Sequence, residues 1–311
     1  MALAQGYFVS AIKLDFNHVH QSIHKLFNLS DQERMLACAR DLWVRHPSAE
    51  RIIDSIHFAM KMEGRINAPC MLCVAPGGTG KTALIHELRK RDVYAENKML
   101  FVTMHQNANN YNLRDLILVE MGLKVGRRAR AGDNLTPEMQ NQIKFNKIRG
   151  IVIDEVHDAL TLTAAQQRQN LSLLKNLSSD IYGLSVFAFG VPAAARVLRQ
   201  DTQLERRYAV RSLAAWVNGP EYRSFVATYI NMLPLKNQTN LKDQQLYLKI
   251  FEKSQGLTDN IVKIIQSAAM VAILDKSERI TQYHIDNIEE VMENFTFSLR
   301  LNEDDESESD D

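Results

Sequence analysis

Residues 75–82 read Ala75-Pro76-Gly77-Gly78-Thr79-Gly80-Lys81-Thr82, a glycine-rich turn closed by Lys-Thr. The run Cys70 to Val74 before it is short and apolar, as a buried strand requires, and Ala83 to Arg91 after it has helical spacing. Strand, glycine loop and helix in that order make a phosphate-binding loop. Gly77, Gly78 and Gly80 let backbone N–H groups curl round phosphate oxygens, and the helix N-terminus adds its positive end. Pro76 and Thr79 belong to the same cradle, Lys81 reaches the β and γ phosphates, and the Thr82 hydroxyl ligates Mg²⁺. The strict motif opens on Gly; Ala75 departs from it where the chain only turns.

The second half of the expected site is Ile151-Val152-Ile153-Asp154-Glu155, about seventy residues downstream. Asp154, ending an apolar strand, holds the Mg²⁺ directly or through water, and Glu155 orients or deprotonates the attacking water. Together they point to ATP hydrolysis and not to binding alone. Arg206-Arg207 follow a helix and precede a strand. Taken alone they are either a solvated pair or a guanidinium offered to a neighbouring subunit's phosphoryl group.

Outward from the loop, Met99 to Met104, Leu184 to Phe189 and Val210 to Leu213 read as further strands. Helices lie between them, through Leu113 to Met121, from Thr136-Pro137-Glu138 onward, and through Leu171, Leu174 and Leu177. Alternating strands and helices predict an α/β fold, a parallel sheet flanked by helices. Upstream, Ser30 and Glu33 form a capping box for a helical run Met35 to Val44, which His46-Pro47 end. A second helix carries Ile52, Ile53, Ile56 and Met60 on one face. From Glu221 to about Phe297 the pattern is wholly helical. The expected layout is an arm at 1–29, the nucleotide-binding domain at 30–218, a small all-helical lid domain at 219–300 and an acidic, disordered tail at 301–311.

The composition, 45% hydrophobic and 24% charged, is that of a soluble globular chain, with no apolar stretch long enough to span a membrane. The first thirty residues lack the apolar block of a secretory signal. Cys70 and Cys73 make a C-x-x-C, but on a strand they point to opposite faces, and no second pair stands at zinc spacing. A reducing, cytoplasmic setting is the expectation. Net charge is zero, yet residues 303–311, EDDESESDD, carry seven of the acidic groups, leaving 37 basic against 30 acidic in the rest. Lys124, Arg127, Arg128 and Arg130 cluster in a glycine-flanked loop, either a contact to a phosphate backbone or a solvated basic loop. His105, Gln106 and Asn109, after the second strand, form another polar loop able to meet a backbone.

Taken together these segments resemble the AAA+ ATPases and, more narrowly, the TniB/TnsC family of transposition regulators. The likeness rests on Trp43 to Pro47, on Ile153-Asp154-Glu155-Val156-His157, on Phe189 to Ala194, on Asp201 to Tyr208, on Trp216 and Glu221 to Arg223, on Leu233 to Leu235, and on Gly256-Leu257 with Arg279 to Thr281. It covers residues from about 30 to 295. The resemblance implies an ATP-dependent protein that assembles as a ring or filament on double-stranded DNA with little sequence preference. It further implies recruitment of a transposase, a target-selection partner, and disassembly on hydrolysis. It makes Arg206 or Arg207 a trans-acting finger and turns the loops at His105 and Lys124 toward DNA. The alternative is a loader or remodeller ATPase acting on another DNA-bound machine. Two departures predict slow hydrolysis: Val191 stands where the family usually has a hydroxyl, and Gly256 to Asn260 lack the lid arginine of many AAA+ proteins.

Overall fold

The structure, a computed structural model, describes residues 17–62, 64–104, 111–125, 137–160 and 163–299. Among the described residues five strands form one sheet: β1 Cys70–Val74, β2 Lys98–Thr103, β3 Ile148–Asp154, β4 Ser185–Gly190 and β5 Tyr208–Ser212. The helices, in chain order, are α1 Asp31–Cys38, α2 Pro47–Lys61, α3 Lys81–Asp92, α4 Leu113–Glu120, α5 Pro137–Phe145, α6 Val156–Leu160 and α7 Ala164–Leu177. They continue as α8 Pro192–Arg199, α9 Thr202–Arg207, α10 Pro220–Ile230, α11 Gln244–Ser254, α12 Thr258–Leu274, α13 Gln282–Asp286 and α14 Glu289–Asn294. A 3-10 helix, Gln21–Asn28, precedes them.

The chain divides into two units. One, the sheet unit, comprises Arg45–Trp216 and Leu257–Asp259. Its strand order is β2-β3-β4-β1-β5 and every ladder is parallel, as expected from the alternating pattern. The three inner strands are buried on both faces and therefore read as apolar runs. The step from β1 to β2 runs one way along the sheet, while β4 to β5 runs the other. Right-handed crossovers then put α3 on one face, beside α2, and α8 and α9 on the opposite face. The crevice where the connections diverge opens at the C-terminal ends of β1 and β4, the position at which open α/β sheets bind ligands.

Gly150 lies inside β3. A Cβ there would fall 2.5 Å from Met60 Sδ of α2 and 3.0 Å from Phe187, so the glycine admits the helix against the sheet. Pro47 does not end the first helical run. That helix stops at Cys38, and Pro47 is the first residue of α2, whose N-cap His46 accepts a bond from the Ala49 N–H.

The other unit gathers the described residues up to Val44, Val217–Gly256 and those from Asn260 onward. The sequence reading places 30–44 in the nucleotide domain, whereas the contacts group α1 with α10 to α14. Arg34 is the reason. Its fully buried guanidinium donates to Glu278 Oε2 at 2.7 Å and Oε1 at 2.5 Å, to the Pro234 carbonyl at 2.9 Å and to Asp31 at 2.6 Å. The capping box at Ser30 and Glu33 is present as expected. The chain leaves the helix after Cys38, and the Arg40 carbonyl is taken by Gln266 Nε2 at 3.1 Å instead of a following turn. Among the described residues no helix is long and apolar enough to cross a membrane.

Candidate active site

The loop leaves β1 with its first peptide pinned, the Ala75 N–H donating to the Gly190 carbonyl at 3.0 Å. Gly78 and Gly80 both take left-handed backbone, φ 78° and 98°, which a side chain would strain. Thr79 is buried and its hydroxyl donates to the Pro76 carbonyl at 2.9 Å, closing the turn. Gly80 is the N-cap of α3, so the free N–H groups of that helix open at the loop. Lys81, 7% exposed, folds its ammonium back to the Ala75 carbonyl at 2.9 Å and the Pro76 carbonyl at 3.4 Å. Among the described residues no carboxylate pairs with it. Pro76 and Gly77 are exposed, as is Thr82 on the first turn of α3.

Asp154 ends β3, two strands from β1. The register sets it level with Phe189 and hence with Cys73, about 10 Å away at ordinary strand spacing. It is 6% exposed and its Oδ1 accepts the Glu155 N–H at 2.9 Å. Glu155 sits at φ 51°, a left-handed conformation that costs a non-glycine residue about 1–2 kcal/mol. Such strain persists where the surroundings enforce it, here by a sharp turn from β3 into α6. Its carboxylate lies 3.1 Å from His157 Nδ1 and is partly exposed. Gly190, ending β4, is needed alongside: a Cβ would meet Val156 at 3.1 Å.

The arrangement suits a magnesium nucleotide. A buried ammonium whose partners among the described residues are neutral carbonyls has capacity for phosphate oxygens. A hydroxyl and a carboxylate are hard oxygen donors of the kind Mg²⁺ takes together with phosphates. Cys73, under the loop, has its thiol pushed up to about 12 by burial, and Cys70 is raised likewise. Both are buried in the strand and inert, and among the described residues no group of three or more His, Cys, Asp or Glu could hold a metal.

The adjacent arginines part company. Arg207, half-buried, donates to the Lys175 carbonyl at 3.0 Å and to Ser178 Oγ at 3.3 Å, fastening α9 to α7. Arg206, one residue earlier in the last turn of α9, is exposed. Val191 serves as N-cap of α8 without a side-chain bond. Lys124 is exposed, whereas His105, Gln106, Asn109, Arg127, Arg128 and Arg130 lie outside the described residues. Thr258, which bonds the loop, and Trp216, which bonds Thr258, escaped prediction as site residues because their bonds span distant segments.

A family profile described as "Bacterial TniB protein" matches residues 34–218. No curated protein matches the sequence. Among solved structures, Orc1 of Aeropyrum pernix in complex with DNA is similar at TM-score 0.53 and 13% identity, over 83% of this chain and 69% of that one. The Drosophila ORC bound to DNA is similar at 0.55 and 14%, over 96% and 71% respectively. Cdc6p from Pyrobaculum aerophilum gives 0.53 and 13%, over 81% and 68%. At such identities the likeness is one of fold.

Proposed function

The chain belongs to the TniB family and has the AAA+ ATPase fold, and from that premise we propose that it is an ATP-dependent regulator of DNA transposition. It oligomerises on target DNA, recruits a transposase and a target-selection partner, and is disassembled by ATP hydrolysis in the cytoplasm. The observation that carries the ATPase reading is Lys81, a buried cation whose partners among the described residues are carbonyls, at the sheet end that also bears Asp154 and Glu155. Family membership supports the transposition reading. Two of the similar structures are described as bound to DNA, which supports the DNA partner.

In this reading the loop N–H groups and Lys81 bind the phosphates, and Thr82 with Asp154 hold Mg²⁺. Bound there, Mg²⁺ would supply positive charge beside the phosphates. Glu155 orients the attacking water by accepting its proton. Arg206 is the finger given to the neighbouring subunit, because Arg207 is already spent on Lys175 and Ser178. DNA is held through its backbone by basic loops including Lys124, so affinity falls with salt.

Steady-state ATPase rates and negative-stain images with duplex DNA test this. Nucleotide-dependent assemblies that persist in Glu155→Gln, whose hydrolysis is lost, are expected. A Glu155→Gln protein that hydrolyses ATP as fast as the wild type would remove the site. Capture of a replicative helicase in place of a transposase would move the chain to the loader class.

A further inference from the structure

The carbonyls of the phosphate loop are held from outside by a segment far along the chain. The Asp259 N–H donates to the Gly78 carbonyl at 2.9 Å. Thr258 Oγ1 donates to the Thr79 carbonyl at 3.1 Å and accepts from Trp216 Nε1 at 3.0 Å. The Trp216 ring rests against His46, centroids 4.9 Å apart. All of these residues belong to the sheet unit.

Peptide planarity gives the contacts a consequence. In a trans peptide the C=O and the following N–H point in opposite directions. Fixing the Gly78 carbonyl outward aims the Thr79 N–H inward, and fixing the Thr79 carbonyl does the same for the Gly80 N–H. The left-handed φ of Gly78 and Gly80 lets the backbone alternate in this way. We propose that Thr258 and Trp216 are positioning residues for nucleotide binding, a brace that presents the Thr79 and Gly80 N–H groups to the phosphates. The Thr258 hydroxyl uses its one proton on Thr79 and a lone pair on Trp216, so Trp216 reaches the loop through it. The Gly256 to Asn260 segment, which carries no arginine, thereby contributes to phosphate binding by shaping the loop in place of touching the ligand.

The proposal rests on the loop being a nucleotide site, and the test separates the two. Equilibrium titration with a fluorescent ADP in Mg²⁺ is run on full-length wild type, Thr258→Val, Thr258→Ser, Trp216→Phe, the Val/Phe double variant and Lys81→Ala. Losing one such bond and leaving its partners unsatisfied weakens binding about fivefold to tenfold in Thr258→Val. Serine, which keeps the hydroxyl, stays within about twofold of wild type, and Trp216→Phe falls between the two. The double variant is no weaker than Thr258→Val alone, a non-additivity that general loosening of the fold would not produce. Wild-type affinity in Thr258→Val, with binding lost in Lys81→Ala, overturns the brace and leaves the site standing. Wild-type affinity in Lys81→Ala overturns the site itself. Should Thr258→Val fail to fold, Trp216→Phe decides, since unchanged affinity there overturns the proposal.

Discussion

Arg34 and Lys81 are both buried cations, and their surroundings differ. Arg34 has a bidentate carboxylate, a second carboxylate and a carbonyl within its own unit. Glu278 beside it raises its pKa further, so the charge is permanent and matched by carboxylates. Lys81 has two loop carbonyls. A buried charge matched by the chain's own counter-charge is architecture, and one matched only by neutral dipoles is available to a ligand. The helical unit spends its charge on holding α1 in place, and the sheet unit keeps its charge for a polyanion.

The largest effect expected from breaking this contrast is on nucleotide binding. Lys81→Ala should lose it by a factor on the order of 100, as a charge-assisted contact in a dry site implies, with no loss of stability in urea melts. Arg34→Ala should do the reverse. It leaves Glu278, 8% exposed, without its main partner and costs about 3–5 kcal/mol, while nucleotide affinity in the folded fraction is unchanged. Replacing both Arg34 and Glu278 by apolar residues of similar volume recovers most of that stability. If Arg34→Ala weakened the nucleotide as Lys81→Ala does, the distinction would be void.

A smaller version of the contrast lies in the neighbouring arginines. Arg206→Ala should cost about 1,000-fold in the hydrolysis rate of assembled protein with an unaltered melting temperature. Arg207→Ala should lower stability by about 1–2 kcal/mol through its lost bonds to Lys175 and Ser178, measured by urea denaturation of the unassembled chain.

These pairs also show what the sequence made legible. The places of Lys81 and Thr82 at the start of α3, and of Asp154 and Glu155 at the end of β3, were readable because strand, loop and helix follow one another locally there. The parallel sheet followed from strand and helix alternation for the same reason. Arg34 was not readable, because its partner Glu278 is 244 residues away. Arg207 could not be told from Arg206 until the carbonyl of Lys175, 32 residues back, was in place. The Thr258 bond to Thr79 spans 179 residues, and nothing in Gly256 to Asn260 announces it.

The smallest effects concern pH and thiol chemistry. Glu50 is held down to about 2, first by hydrogen bonds from Arg91 and then by Arg45. Its folded pKa lies below the unfolded value, so its contribution to stability is present above about pH 4.5 and is lost as pH falls toward 2. Arg91→Met should flatten the acid limb of a stability–pH curve over that window. Cys38 and Cys73 thiols, pushed up to about 12 by burial, should not react with a thiol reagent at pH 8 until the protein unfolds.

The most direct test of the account is the anisotropy of labelled duplex DNA titrated with full-length protein. It compares ATP, a non-hydrolysable analogue and no nucleotide, at two salt concentrations, for wild type and Lys81→Ala. Tight binding is expected only with nucleotide, tightest with the analogue, weakened by salt and absent in the variant. DNA affinity that is equal in all nucleotide states, or unchanged by Lys81→Ala, would contradict it.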